Sequence, residues 1–247
     1  MTPTQADRYT AEDALAVLDS LLAASSIEPT KTVTGARHDI ATLVQQKASA
    51  LAELAATQQP ADVDALAESI ANGDPGAVQT VAKALARKDA KEYKRLVNRV
   101  SWIYDRRADD RLRKLGDQLI ADILAPWMDR TITELAPHAN VVVEHGHRST
   151  RLDSEPHQPS YDEAERLTAQ AHTIWRHAAI LRGRGVLPDV TGQSDQRWLA
   201  FGAPHRLADE NKAHREAWWL SYAVTNGAKP GVYASYTAEA QQRAVPA

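Results

Sequence analysis

The sequence contains no cysteine, a single phenylalanine and no long run of apolar residues. Without cysteine, the chain has no disulfide, no thiol nucleophile and no cysteine-ligated zinc. A transmembrane helix needs about 20 consecutive apolar residues, and no segment approaches that length. Residues 1–9 are polar and unlike a secretory signal peptide. We therefore expect a cytoplasmic protein that makes no membrane contact.

Motifs that carry catalytic chemistry are also missing. The chain has no G-x-S-x-G nucleophile elbow, no G-x-x-x-x-G-K-[ST] phosphate loop and no G-x-G-x-x-G fingerprint. The nearest approach, Gly183-Arg184-Gly185, ends a predicted helix instead of opening one. The sequence therefore favours a protein that is not an enzyme, and we predict neither a cofactor nor a small-molecule substrate.

Apolar residues make up 43 % of the 247 residues and recur mainly at spacings of three and four. This spacing is the signature of amphipathic helices. We predict an all-α protein: a helical bundle with one long central helix and a smaller, aromatic-rich helical C-terminal part. The predicted regions are an N-terminal helical region at 1–136, a linker at 137–160 with a short strand at 141–143, and a C-terminal helical region with a tail at 161–247.

Capping residues mark several helix ends. Thr10 followed by two acids predicts an N-cap, and Asn72-Gly73 predicts a C-cap because both residues tolerate a left-handed backbone. No proline occurs between Pro75 and Pro126. The apolar pattern in that span predicts a central helix at about residues 90–125, roughly 50 Å long, with Gly116 as its weakest point. A helix of that length exceeds the diameter of a compact small domain, so we expect it to project, to bend or to pack against a partner helix.

The helix predicted after residue 160 has the most regular pattern in the chain. Residues 160–163 read Ser-Tyr-Asp-Glu and predict a capping box. Apolar residues then alternate at spacings of three and four, as in a coiled-coil seam. This seam consists of Ala164, Leu167, Ala171, Ile174, Ala178 and Leu181. The pattern favours helix-to-helix assembly and an oligomer. His172 and His177 fall off the seam, and we expect both at the surface.

Charge is distributed unevenly along the chain. Residues 1–82 carry 4 basic and 11 acidic residues, whereas residues 83–114 carry 12 basic and 5 acidic ones. Such asymmetry indicates an anionic partner or docking between oppositely charged segments of one chain. The candidate nucleic-acid-binding residues are Lys83, Arg87, Lys91, Lys94, Arg95 and Arg99. Arg106 extends a second stripe, and Tyr93, Trp102 and Tyr104 lie between the basic residues, where aromatic rings can stack on bases.

A solvated or internally paired basic face is the simpler interpretation of this segment. Asp109 and Arg113, and Asp110 and Lys114, have the spacing of four that favours ion pairs within a helix. The acidic N-terminal region is also available to dock on the basic helix. No helix-turn-helix, zinc-finger or RNA-recognition signature supports nucleic-acid binding.

Four histidines fall within a stretch of twenty residues in the predicted linker. Together with nearby acids they have the chemistry of a catalytic zinc site, which needs three nitrogen or oxygen ligands and an open position. The candidate ligands are His138, His145, His147 and His157. No H-E-x-x-H helix accompanies them. A metal-dependent hydrolase is therefore an alternative that rests on this loop alone.

The C-terminal region is rich in aromatic residues, which are typical anchors of protein interfaces. The candidate partner-binding residues are Trp198, Phe201, Trp218, Trp219 and Tyr222. Adjacent Trp218 and Trp219 cannot share a helix face, so if one packs inward we expect the other to be exposed or covered by the tail or a partner. A small core that closes the C-terminal part is the equally weighted alternative.

The leading interpretation is a non-enzymatic helical interaction or assembly protein that acts through protein–protein contacts. A structural protein of a mobile genetic element is an example of this class. The first alternative is a nucleic-acid-associated protein that uses the basic helix at 83–114. The second is the metal-dependent hydrolase described above. A protein partner or self-association is expected under the leading interpretation.

Overall fold

The computed structural model describes residues 9–57, 68, 70–73, 90–145, 155–187 and 212–226. These residues form helices and turns, with no strand among them, which confirms the all-α prediction. The helices are α1 Ala11–Ser25, α2 Lys31–Thr57, α3 Ala90–Arg113, α4 Gly116–Leu119, α5 Ala125–His145, α6 Gln158–Gly183 and α7 Lys212–Thr225. A π-helix spans Ile120–Leu124, and a 3₁₀ turn spans Glu155–His157. None of the described helices is long and apolar enough to cross a membrane.

Contacts divide the chain into two compact units. The first comprises Met1–Ala24 and Glu28–Gly116, and the second comprises Ser25–Ile27 and Asp117–Ala247. The division falls at the end of the central helix, before the predicted linker. Each unit is described separately below.

Unit 1 is built on the packing of α2 against α3. Its core contains buried residues of both helices and of residues 70–71, namely Ala50, Leu54, Ile70, Ala71, Leu96, Val100 and Tyr104. The Tyr104 hydroxyl donates a hydrogen bond to the Ile70 carbonyl at 3.2 Å. This contact holds residues 70–73 beside α3. Gly73, with φ of 77°, ends the preceding turn by donating to Ile70, as the predicted C-cap requires.

The start of α1 is capped as predicted. The Asp13 amide donates to the Thr10 hydroxyl at 3.1 Å, and the Thr10 amide donates back to the Asp13 carboxylate at 2.9 Å. This reciprocal pair satisfies two backbone donors that a helix start otherwise leaves without a partner. The acid at the third position also complements the positive end of the helix dipole.

A buried ion network joins α1, α2 and α3. Lys47 of α2 donates to Glu12 of α1 at 2.8 Å and to Asp105 of α3 at 2.7 Å. The same Asp105 oxygen accepts the Ala11 amide at 2.7 Å, and its second oxygen accepts the Ser101 hydroxyl at 3.3 Å. The Lys47 side chain is only 8 % exposed. Asp105 therefore acts as a shared acceptor for a buried cation and for the start of α1.

The predicted uninterrupted helix at 90–125 is wrong. α3 begins at Ala90 and ends at Arg113, where Lys114 and Leu115 form a turn just before Gly116, the predicted weak point. At about 1.5 Å per residue, α3 is about 36 Å long. Its apolar edge is buried within the chain, since Leu96, Val100, Tyr104, Ala108 and Leu112 are all at most 3 % exposed. The helix thus needs no partner to cover that edge.

The apolar pattern continues beyond the turn because a π-helix adjusts its phase. The π-helix Ile120–Leu124 places the adjacent residues Ile123 and Leu124 both in the core. An ordinary α-helix separates neighbouring residues by about 100°, whereas a π turn inserts an extra residue. Spacing alone therefore predicted the helical character of this segment but not its division into separate pieces.

Unit 2 contains a bundle in which α5, α6 and α7 pack against one another. All six seam residues of α6 are fully buried, which confirms the predicted apolar face. They pack inside this bundle, so the seam serves the chain's own core. His177 is also buried, with its ring 6.2 Å from the Trp127 ring, contrary to the expected surface position. Burial lowers the pKa of His177, and the nearby charge of Arg176 lowers it further.

The expected linker at 137–160 is wrong for its first part. α5 continues through Pro137 to His145, so the predicted strand at 141–143 is helical. Ala139 and Val142 are buried at helical spacing, and this packing overrides the preference of valine for strands. The predicted capping box at 160–163 is wrong as well, because α6 starts at Gln158 and Glu163 pairs with Arg166 at 2.6 Å.

Candidate interaction surface

The described part of the basic segment belongs to α3. Lys83 and Arg87 lie outside the described residues, as does the side chain of Lys91. Lys94 and Arg95 are exposed, and Arg99 is half-buried. The spacings place Arg95, Arg99, Trp102 and Arg106 on one face of α3, separated by three or four residues. This face is polar and lies apart from the buried apolar edge of the helix.

Two arginines of this face are held over one indole ring. The guanidinium carbons of Arg99 and Arg106 lie 4.5 Å and 5.3 Å from the centroid of the Trp102 ring. Each contact is within the range of cation–π attraction, worth about 0.5–1 kcal/mol at exposed sites. We call these three residues the Arg–Trp–Arg cluster. The stacking restricts the long arginine side chains before any ligand arrives, which lowers the entropy lost on binding.

The cluster lines an open groove of about 450 Å³ in unit 1. Glu68 and Asn72, from the segment before α3, and Arg107 and Asp110 of α3 also contribute polar side chains to its lining. The Arg107 guanidinium donates to the Ala71 carbonyl and, at 2.9 Å, to the Asn72 side chain. These bonds fix residues 71–72 against α3 and so define the width of the groove. We refer to it as the α3 groove.

Carboxylates of unit 1 neutralise much of the remaining charge on α3. Arg113 pairs with Asp109 at 2.7 Å, as the spacing predicted. Arg111 pairs with Asp39 of α2, so part of the acidic N-terminal region does contact the basic helix. Asp110 lies 3.9 Å from Arg106 instead of forming the predicted pair with Lys114. The basic helix is thus internally paired on one side, and its groove face carries both signs of charge.

The aromatic candidates of the C-terminal region contribute to the core of unit 2. Trp218 and Trp219 are 8 % and 4 % exposed, so both rings are covered and neither is the exposed tryptophan that the sequence offered as one possibility. Tyr222 is half-buried and stacks on Trp218 at 5.1 Å between ring centroids. Both tryptophans are buried because α7 packs against α5 on one side and α6 on another. Trp198 and Phe201 lie outside the described residues.

The histidine candidates do not converge in the described part of the chain. His145 and His157 stack with ring centroids 4.2 Å apart and planes inclined by 7°. Imidazole lone pairs lie in the ring plane, so two parallel stacked rings do not point at one metal ion. His138 instead contacts the Ser160 hydroxyl at 3.3 Å, and His147 lies outside the described residues. No group of three potential metal ligands occurs among the residues searched.

Sequence reasoning identified part of the α3 groove and missed the rest. Trp102 and Arg106 were placed among the basic stripes, and their spacing from Arg99 was the available signal. The contributions of Glu68, Asn72 and Arg107 were missed, because they depend on the approach of a segment some thirty residues earlier in the chain. Comparison with protein families, curated proteins and solved structures found no significant match.

Proposed function

We propose that this chain is a non-enzymatic helical interaction protein that acts in assembly through protein–protein contacts. The observation that carries the proposal is the Arg–Trp–Arg cluster in the α3 groove. Tryptophan and arginine are the residues most enriched at energetic centres of protein interfaces. Here they occur together, prearranged by stacking, beside an open groove of about 450 Å³.

The mixed charge of the α3 groove favours a protein partner. Three arginines line it, but Glu68 and Asp110 line it too. Complementary arrangements of both signs orient protein partners and exclude unsuitable ones. These two carboxylates offset part of the attraction that the three arginines exert on the sugar–phosphate backbone of a nucleic acid.

The proposal does not depend on the long helix or on the α6 seam. Both bury their apolar residues within the chain, so neither needs a helix of another molecule to cover these residues. The buried tryptophans of α7 serve the core of unit 2 in the same way. The contact surface that we propose is therefore the polar face of α3, residues 95–110, together with Glu68 and Asn72.

Affinity purification from cells of the source organism tests the proposal. The full-length wild type, a Trp102→Ala/Arg106→Glu variant and an Arg176→Glu control are compared, since Arg176 is exposed on unit 2. We expect a protein that is retained in stoichiometric amount by the wild type and the control and lost by the groove variant. Equal retention by all three proteins, or none by the wild type, contradicts the proposal. Light scattering of the purified chain shows whether the partner is a second copy.

Nucleic-acid binding is the second candidate function. It is favoured by the exposed Arg95, which extends the cationic face one turn beyond Arg99, and by the exposed Lys94 beside it. Indole rings beside cations bind single-stranded bases by stacking. If this function holds, the logarithm of the binding constant for an oligonucleotide falls linearly with the logarithm of the salt concentration. The slope is set by the number of phosphates that the protein neutralises. An absence of binding to single and double strands at low salt excludes it.

A further inference from the structure

We infer that unit 2 contains an acid-sensitive joint: protonation of His177 opens the end of the α5–α6 pair where its ring meets Trp127, while α6 stays attached to α7 through His172. The inference goes beyond the proposed function, because it concerns unit 2 and uses no residue of the α3 groove. It is carried by the different surroundings of two histidines on one helix.

The joint lies at one end of an antiparallel helix pair. At the other end, His145 in the last turn of α5 stacks on His157, which precedes α6, with ring centroids 4.2 Å apart. At the joint, Trp127 in the first turn of α5 lies 6.2 Å from the His177 ring in the second half of α6. Trp127 is 1 % exposed and His177 is 8 % exposed. These two rings therefore form a packed contact between the start of α5 and α6.

A proton on His177 has no favourable partner at the joint. Burial, and to a lesser extent the charge of Arg176 on the same helix, lowers the pKa of this imidazole. The Trp127 ring is tilted by 45° at 6.2 Å, beyond the distance of about 6 Å at which a ring face attracts a cation. An imidazolium is therefore more stable in water than at the joint. Three charged side chains on neighbouring elements contact other groups, namely Asp122 with Gln118, Arg130 with the Ser25 carbonyl and Glu216 with His172.

His172, five residues earlier on α6, has the opposite surroundings. Its Nε2 atom lies 3.3 Å from a carboxylate oxygen of Glu216 on α7. A proton on His172 turns this contact into an ion pair that joins α6 to α7. The same fall in pH thus opposes the packing of α6 against α5 at His177 and strengthens its packing against α7 at His172. Histidine is the side chain whose charge changes between about pH 5 and 8, so this response falls in the physiological range.

Fluorine NMR of the full-length chain, labelled with 5-fluorotryptophan, tests the inference. Each signal is assigned by its loss in a Trp→Phe variant, and its shift between H₂O and D₂O reports the exposure of that ring to solvent. We expect Trp127 to become exposed below pH 6.5, while Trp219 of α7 and Trp102 of unit 1 keep their neutral-pH values. Because opening binds one proton, the ratio of open to closed joint should rise by up to about tenfold per pH unit.

Variants assign the response to one imidazole. His177→Phe keeps a ring beside Trp127 but takes no proton, so Trp127 should stay buried down to about pH 5. His177→Gln is a second neutral variant in case the phenylalanine variant does not fold, which circular dichroism establishes. His172→Gln is the matched control on the same helix. It should leave the response of Trp127 in place and increase the exposure of Trp219 in acid, because the ion pair to α7 is lost.

Three outcomes overturn the inference. The first is exposure of Trp127, Trp219 and Trp102 together with one midpoint, which means that the whole chain unfolds. The second is a Trp127 ring that stays buried in the wild type down to about pH 5. The third is a response of Trp127 that persists in the folded His177 variants.

Discussion

Replacing Asp105 with alanine should destabilise unit 1 strongly. Asp105 is 16 % exposed and accepts hydrogen bonds from the buried ammonium of Lys47 and from the first amide of α1. Breaking a buried ion pair by removing one partner costs about 3–5 kcal/mol. In this variant the Lys47 ammonium still pairs with the half-exposed carboxylate of Glu12. We therefore expect the loss in free energy of unfolding to lie near the lower end of that range. The lost acceptor for Ala11 adds about 1 kcal/mol, so we expect a total of about 4 kcal/mol.

Urea denaturation followed by circular dichroism measures this loss, with two further variants as controls. Asp105→Asn keeps an oxygen acceptor for Ala11 and should cost about 1–2 kcal/mol less than alanine. A Lys47→Met/Asp105→Ala double variant should be more stable than Asp105→Ala alone, because no buried charge remains unpaired. A cost below about 1 kcal/mol for Asp105→Ala, or additive effects in the double variant, would show that Asp105 and Lys47 do not stabilise unit 1 as a coupled pair.

Three further predictions concern pH and packing. Burial alone would raise the pKa of Glu12, but the hydrogen bond and charge of Lys47 lower it. Burial alone would lower the pKa of Lys47, but the hydrogen bonds and charges of Asp105 and Glu12 raise it. The ionised Glu12 therefore stabilises the fold above pH 4.5, and this stabilisation is lost as the pH falls below that value. The protonated Lys47 stabilises the fold up to pH 10.5, and this stabilisation is lost as the pH rises further. In a plot of the urea midpoint against pH, Lys47→Met should therefore reduce both the acid and the alkaline decline. Because burial lowers the pKa of His177, the neutral ring stabilises the fold above pH 6.5, and this stabilisation is lost as the pH falls below that value. His177→Phe should therefore reduce the loss of thermal stability below pH 6.5. An unchanged dependence of the melting temperature on pH contradicts this prediction. Ile174→Ala should cost about 2–5 kcal/mol in denaturant titration without changing the oligomeric state, and a change in that state would show that the α6 seam serves assembly.

The features that local rules control were predictable from the sequence. The α6 seam followed from spacing because an amphipathic helix repeats its buried face every three or four residues. The Thr10 cap and the Gly73 turn followed from backbone chemistry that involves only neighbouring residues. The weakness near Gly116 followed from the low helix propensity of glycine.

The features that were not predicted from the sequence depend on contacts between residues distant in the chain. The helix through Pro137 to His145 forms because Val142 packs into the bundle of unit 2, and single-sequence propensity contains no information on that packing. The burial of Trp219 beside Trp218 requires helices on two sides of α7. The Lys47–Asp105 pair joins residues from two helices, and no local pattern matched them.

The α3 groove combines both cases. The sequence placed Arg99 and Arg106 in one basic stripe and Trp102 between the basic residues, but it did not bring the three together as a cluster. The wall formed by Glu68 and Asn72 arises from tertiary packing through Tyr104 and Ile70. Hence the charge of the helix was predictable, whereas the mixed sign of the groove was not.

Photo-crosslinking in cells of the source organism tests whether the α3 groove contacts another protein, with a benzophenone amino acid at Glu68 in the groove wall and, as the control, at Arg176 on unit 2. We expect one discrete protein adduct from position 68 and none from position 176, and Arg106→Gln should reduce the yield at position 68. A nucleic-acid adduct, or identical patterns from the two positions, would show that the groove is not a protein-binding surface.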